Sequence, residues 1–236
     1  MTDSETTPAA PQQPAKPSQR TALLVLGLIG AIAIGFAIGF LVRIPFGNND
    51  SAPGPDSVDV GFAQDMTVHH GQAVEMATVA MTNTTDPAIK NLAFDILTTQ
   101  QNQVGQMQGW LSIWGRSALP NDGHMAWMSD SMSEHDHGGM PGMAPDGSMQ
   151  KMPGMASSED MTALRQARGP ALHTLFLQLM LRHHQGGLQM MLYAAQHADE
   201  SVVRDLAQTM VDTQQNEAQL MIQMLSQRGA APLPMN

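Results

Sequence analysis

The stretch Met66-Thr67-Val68-His69-His70 returns 114 residues later as Met180-Leu181-Arg182-His183-His184. The offset holds without a gap over some fifty positions. Phe62 meets Phe176, Gln64 meets Gln178, Met76 meets Met190 and Ala80 meets Ala194. Further on, Leu92-Ala93 meets Leu206-Ala207, Thr99-Gln100-Gln101-Asn102 meets Thr213-Gln214-Gln215-Asn216, and Gly115 meets Gly229. A repeat of this kind means that one supersecondary unit has been used twice.

Each copy reads as a pair of helices. At 100° per residue, Phe62, Met66, His69, His70, Ala73, Met76, Ala77 and Ala80 share one broad face, while Glu75 points the other way. This first helix should end near Asn83, and Thr85-Asp86-Pro87 supplies a cap and a first-turn proline for a second, which stops around Gly115. The second copy gives helices from about Pro170 to His197 and from about Glu200 to Arg228. Two amphipathic αα-hairpins cannot bury their apolar faces alone, so the expected fold is all-α: a four-helix bundle over residues 58–229. Residues 116–169 connect the hairpins. A short helix over Ser158 to Gln166 is expected there, with the remainder irregular and mobile in the metal-free protein.

Ahead of the repeat, residues 1–21 are rich in Pro, Thr, Ser and Gln and read as a disordered tail. Ala22 to Val42 is an uncharged run flanked by Arg20 and Arg43, long enough to span roughly 30 Å of hydrocarbon. It is longer than a signal-peptide core and no A-x-A site follows it, so an uncleaved transmembrane anchor is expected. Lys16 and Arg20 on its N-terminal side favour a cytoplasmic tail and a domain on the extracytoplasmic side. Residues 43–57 form a linker and 230–236 a C-terminal tail.

Composition narrows the chemistry. A net charge of -10 offers no basic stripe for phosphates, which argues against nucleic acid as a partner. Cysteine is absent, so disulfides and thiolate ligands are excluded. Methionine is abundant, with 21 residues against six Phe, three Trp and one Tyr, and core filling does not account for methionines in a Gly/Pro-rich segment.

Four imidazoles on inward faces each bring a nitrogen that needs a partner away from water. A metal ion satisfies several at once, and thioethers add preference for soft ions such as Cu(I). Met66 stands at i+3 and i+4 spacing from His69 and His70, and Met180 repeats this with His183 and His184. Met76 and Met190 extend the same face. The competing reading is a polar histidine core that holds no metal. Gln100 and Gln214, on the inward faces of the second helices, either orient imidazoles or satisfy one another. The connecting segment adds His124, His135, His137, Met140-Pro-Gly-Met143 and Met152-Pro-Gly-Met155 as weaker soft ligands. Sacrificial oxidation of these methionines is an alternative use. Iron–carboxylate chemistry requires inward Glu and Glu-x-x-His pairs; no E-x-x-H occurs on the four expected long helices, and Glu217 has only Gln103 as its counterpart. No nucleophile motif is present either, so an enzyme is not expected, a metal-dependent redox activity being the remaining catalytic reading. His173 and His197, near the ends of the third helix, are expected at the surface.

The stretches Phe62 to Ala77 and Phe176 to Met191 resemble the paired signatures of the bacterial exported family known as domain of unknown function 305, and Met-Pro-Gly-Met-Ala before the second hairpin is similar too. The resemblance covers about Asp59 to Gly229. It implies a ferritin-like four-helix bundle and, through members associated with copper binding and tolerance, copper as Cu(I) or Cu(II), with other transition metals also open. Copper-handling proteins would then be partners, and self-association stays open. This chain departs from the family pattern at Gln103, where an acidic residue is usual and Glu217 keeps it, and at His173-Thr174, where an aromatic and Asp usually stand.

Overall fold

The computed structural model describes residues 23, 27–32, 34–36, 52–121, 123–128 and 148–236. The chain divides into two compact units, Met1–Ser51 and Ala52–Asn236. The expected tail and most of the expected transmembrane run lie outside the described residues; those described between 23 and 36 are helical. Among the described residues no helix is long and apolar enough to cross a membrane.

The second unit is all-helical, with no strand among the described residues. Its long helices are α1 (Val58–Asn83) and α2 (Pro87–Ile113), then α4 (Gly169–His197) and α5 (Ser201–Gln227). A 3-10 turn at Ala126–Met128 and α3 (Ser158–Gln166) lie between the pairs. The starts are set by local chemistry. The Ser57 hydroxyl accepts from Val60 N–H, the Asp86 carboxylate accepts from Ala88 and Ile89 N–H with Pro87 following, and Ser157 and Asp160 cap α3 reciprocally. Both hairpins end alike, on glycines in the left-handed region, Gly115 at φ 65° and Gly229 at φ 66°.

The helices of each hairpin pack on one another, and the hairpins meet mainly through α1 and α4. The buried side chains form two apolar clusters. One gathers Ala73–Ala80 of α1, Ile89–Ile96 of α2, Leu172–Leu181 of α4 and Met221–Leu225 of α5. The other gathers Val60–Met66, Val104–Leu111, Met190–Ala194 and Val203–Val211 of the same four helices. Their order along the chain makes α1 and α4 antiparallel. It also leaves one layer between the clusters, halfway along every helix, which the histidine motifs occupy.

The repeat extends to individual hydrogen bonds. Gln64 Nε2 donates to the Ser117 carbonyl at 2.9 Å, and Gln178 Nε2 to the Ala231 carbonyl at 2.6 Å, both partners shifted by the same 114 positions. Asp59 and His173 are likewise equivalent positions. Asp59 is buried and accepts from the N–H groups of Asp199 and Glu200, pinning the turn that opens α5. His173 bonds Thr84 Oγ1 at 2.9 Å and lies 3.7 Å from Asp86, pinning the turn that opens α2. His173 is therefore mostly buried, not the surface residue expected, because it docks one hairpin on the turn of the other. His197 is exposed, stacked on Tyr193 at 4.3 Å.

Two further expectations are corrected. Residues 230–236 are no free tail: Ala230 and Leu233 pack on an apolar cluster and Asn236 Nδ2 donates to the Met155 carbonyl. The described ends of the connecting segment are not loose either. Met125, Met128, Met149 and Met152 are buried in the second cluster beside residues of the four long helices. His124 and Met149 pair their backbones in an antiparallel bridge at 2.8 and 2.7 Å, closing the base of the loop.

Candidate metal-binding site

His69, His70, His183 and His184 come together in the layer between the apolar clusters, all essentially without solvent exposure. The rings of His69 and His183 lie face to face, 3.8 Å between centroids and tilted by 35°. Each is 6.5 Å from the neighbouring histidine of its own motif. Two axial elements sit beside them. A Cβ on Gly187 would fall 2.9 Å from His69 Cε1, so this helix position admits little more than glycine against the ring. The Pro153 carbonyl also approaches His69.

Burial decides the protonation of this layer. His69 is held down to about 3, by burial first and by repulsion from His70 second, the Pro153 carbonyl pulling weakly upward. His70 is held down to about 4, again by burial, with the Gln103 hydrogen bond opposing. His183 lies well below its ordinary 6.5, from burial and then from the imidazoles around it. The imidazoles of His69, His70 and His183 are thus neutral at physiological pH, the form that ligates metals.

The outer pair has protein partners. His70 Nε2 meets Gln103 Oε1 at 2.8 Å, and His184 Nε2 meets Glu217 Oε2 at 2.7 Å, equivalent bonds in the two copies. Gln100 and Gln214 do not orient the rings: both amides are buried with neither N nor O hydrogen-bonded, so they do not satisfy one another either. Both nitrogens of His69 and of His183 also lack a partner, as do the Nδ1 atoms of His70 and His184. Each such atom costs on the order of 1–3 kcal/mol if it stays unsatisfied.

The methionines are divided differently from the sequence reading. Met66 packs in one cluster with Met190, while Met180 packs in the other with Met76, so thioethers flank the histidine layer in two pairs. Among the described residues no group of three or more His, Asp or Glu side chains converges with metal-holding geometry. An ion here would therefore draw on thioethers as well as imidazoles.

The connecting segment supplies a second constellation, centred on a residue the sequence reading passed over. Asp65 is buried on α1 and accepts three hydrogen bonds: from His124 Nδ1 at 2.6 Å, Met125 N–H at 2.7 Å and Trp127 Nε1 at 2.8 Å. Met125 has a φ of 66°, a costly conformation for a side chain with Cβ, which these bonds hold in place. Asp65 in turn raises the His124 imidazole above its ordinary 6.5, through the hydrogen bond first. At the other end, Met152-Pro153-Gly154-Met155 lies backbone against backbone on α4. A Cβ on Gly186 would stand 2.3 Å from the Pro153 oxygen and 2.6 Å from Gly154 Cα. Met152 is buried and Met155 half-buried. His135, His137, Met140 and Met143 lie outside the described residues.

The family model named "Domain of unknown function (DUF305)" matches residues 59–225, the repeat and its connection together. The chain belongs to the DUF305 family. Among solved structures, a DUF305 protein of Streptomyces coelicolor, inferred to be secreted, is 36% identical with a TM-score of 0.67, covering 77% of this chain and 99% of that one. A DUF305 fragment from Deinococcus radiodurans is 28% identical with a TM-score of 0.55, covering 72% and 96%. CopM in its Cu(I)-bound form is 21% identical with a TM-score of 0.52, over 72% and 96%, a likeness of fold. No curated protein matches the chain. The Asp65 clamp and the Gln103 and Glu217 partners were readable only indirectly, the latter as a 33-residue spacing from His70 and His184 that both copies keep.

Proposed function

We propose that this DUF305 protein is a ferritin-like four-helix bundle, anchored through residues 22–42 on the extracytoplasmic face of a membrane, that binds copper for buffering, delivery or tolerance. The observation that carries the reading is the set of partnerless imidazole nitrogens on His69 and His183 in a dry layer. A polar core with no ligand would leave the lone pair on each ring without a donor, whereas a soft ion takes one lone pair per ring. The donors fit such an ion: neutral imidazoles and thioethers, with no thiol that an oxidising compartment would consume. CopM, a structural neighbour, has been solved with Cu(I), Cu(II) and Ag. The inferred secretion of the Streptomyces relative accords with an extracytoplasmic site.

Thermal melts of the full chain with and without Cu(I) or Ag(I) test this. An ion at 100 times its dissociation constant stabilises the protein by about 2.7 kcal/mol, which raises Tm by roughly 5–10 °C for a domain of this size. Replacing His69 and His183 together by Ala should remove most of that shift. A wild-type melt indifferent to copper and silver, with the double variant badly destabilised, would establish the polar-core reading instead.

A further inference from the structure

We infer that the two copies form unequal half-sites, with Glu217 locking His184 as the stronger donor and Gln103 leaving His70 the weaker and more exchangeable one. The inference rests on the metal-binding reading above. Both bonds enter through Nε2: His70 to Gln103 Oε1 at 2.8 Å, and His184 to Glu217 Oε2 at 2.7 Å. An oxygen of this kind can only accept, so each Nε2 carries the proton and each Nδ1 carries the lone pair. Those Nδ1 atoms are both buried and both without a protein partner. The free lone pair is thereby fixed on Nδ1 for His184, and on Nδ1 for His70 as long as Gln103 presents its oxygen.

The two partners then differ in a way the repeat does not otherwise allow. A carboxylate is an acceptor at both oxygens, so His184 has one available tautomer. A carboxamide has a donor end as well, so a half-turn of Gln103 would reverse the bond and move the His70 lone pair to Nε2. The carboxylate also raises the donor strength of the imidazole it holds, the role that outer carboxylates play behind ligating histidines. It brings one negative charge toward a layer otherwise lined by neutral donors, which favours a cation there. Glu217 retains a side-chain exposure of 15%, while its histidine is sealed at 1%. Gln103 and Glu217 are positioning residues, acting on an ion through His70 and His184.

The experiment uses the full chain labelled with 15N-histidine, titrated with Ag(I) as a redox-inert probe. In the metal-free protein, His184 should show a single Nε2–H tautomer and His70 a majority Nε2–H form. Substoichiometric Ag(I) should shift His184 Nδ1 before His70 Nδ1. Competition titrations should show Glu217→Gln weakening the first-filled site by about 10–100-fold. Gln103→Glu combined with Glu217→Gln should reverse the order of filling, an outcome that mere loss of packing cannot produce. An Nδ1–H tautomer at His184 in the metal-free protein overturns the inference, as does simultaneous filling that the exchanged pair leaves unchanged. Absence of any Ag(I) binding to the wild type overturns the metal reading itself and the inequality with it. Binding that is tight but indifferent to Glu217 sinks only the inference.

Discussion

Acid should unfold this protein through its histidine layer well before its carboxylates titrate. His69 passes from 6.5 in the unfolded chain to about 3 in the folded one, and His70 from 6.5 to about 4. The unfolded state therefore binds more protons below 6.5, so stability falls as pH falls from there toward the folded values. At pH 5 each of these two histidines costs about 2 kcal/mol relative to neutral pH, about 4 kcal/mol together. His183 adds in the same sense. That sum approaches the whole stability of an ordinary domain, about 5–15 kcal/mol. Carboxylates do not add to it in this range, and His124 offsets only part of it. Asp86 and Asp160 are held below their ordinary 3.8, so their contributions are present above that value and are lost only as pH falls further. His124 runs the other way: raised by Asp65, its contribution is full below 6.5 and is lost as pH rises through its folded value. Urea unfolding of the metal-free chain at pH 7.5 and pH 5, followed by circular dichroism, measures the difference. His69→Leu should remove about 2 kcal/mol of the pH-dependent part. A wild-type stability flat to within about 1 kcal/mol over that interval would mean that the imidazoles reach water or a proton acceptor, and would refute the dry layer.

Further outcomes follow from the packing. Gly186→Ala drives a methyl into the Pro153 carbonyl and Gly154 Cα, so the Met152–Met155 turn must lift from α4; the strain, about 1–3 kcal/mol, should outweigh the helix gain of about 1, whereas Gly71→Ala, with open space around it, should stabilise by about 1 kcal/mol in the same urea assay. Asp65→Ala strands the Met125 N–H and the Trp127 indole N–H, for a loss of about 2–5 kcal/mol and a red-shifted, more quenchable Trp127 emission. Replacing residues 129–147 by a Gly/Ser linker of roughly five residues should leave metal-free stability nearly unchanged, since His124 and Met149 already close the loop. Deleting 121–155 instead removes four buried methionines, worth about 1.5–3 kcal/mol each, and should leave little folded protein by circular dichroism.

The helices were legible because periodicity and end signals agree along each copy: α3 spans Ser158–Gln166 as its capping residues imply, and α2 and α5 occupy equivalent positions at the same offset. What the pattern could not resolve was rotation about a helix axis. Gln100 and Gln103 stand three residues apart, about 60° around the helix, and so do Gln214 and Glu217. Both members of each pair fall within an inward face well over 100° wide, so a helical wheel admits either as the partner of a histidine. Packing of α1 on α2, and of α4 on α5, selects the second member in both copies. The connecting segment escaped the reading for a different reason. Its methionines have no period, so buried ones such as Met125 and Met149 look the same in sequence as unplaced ones. Asp65 fixes Met125 by drawing three donors of that segment onto one carboxylate, and the backbone bridge to His124 fixes Met149. A buried acid with no Lys or Arg at helical spacing is a deficit that some distant donor must fill. In this chain the donors came from the loop, which makes its ends part of the folded body, while His69 and His183 keep ring nitrogens without a hydrogen bond.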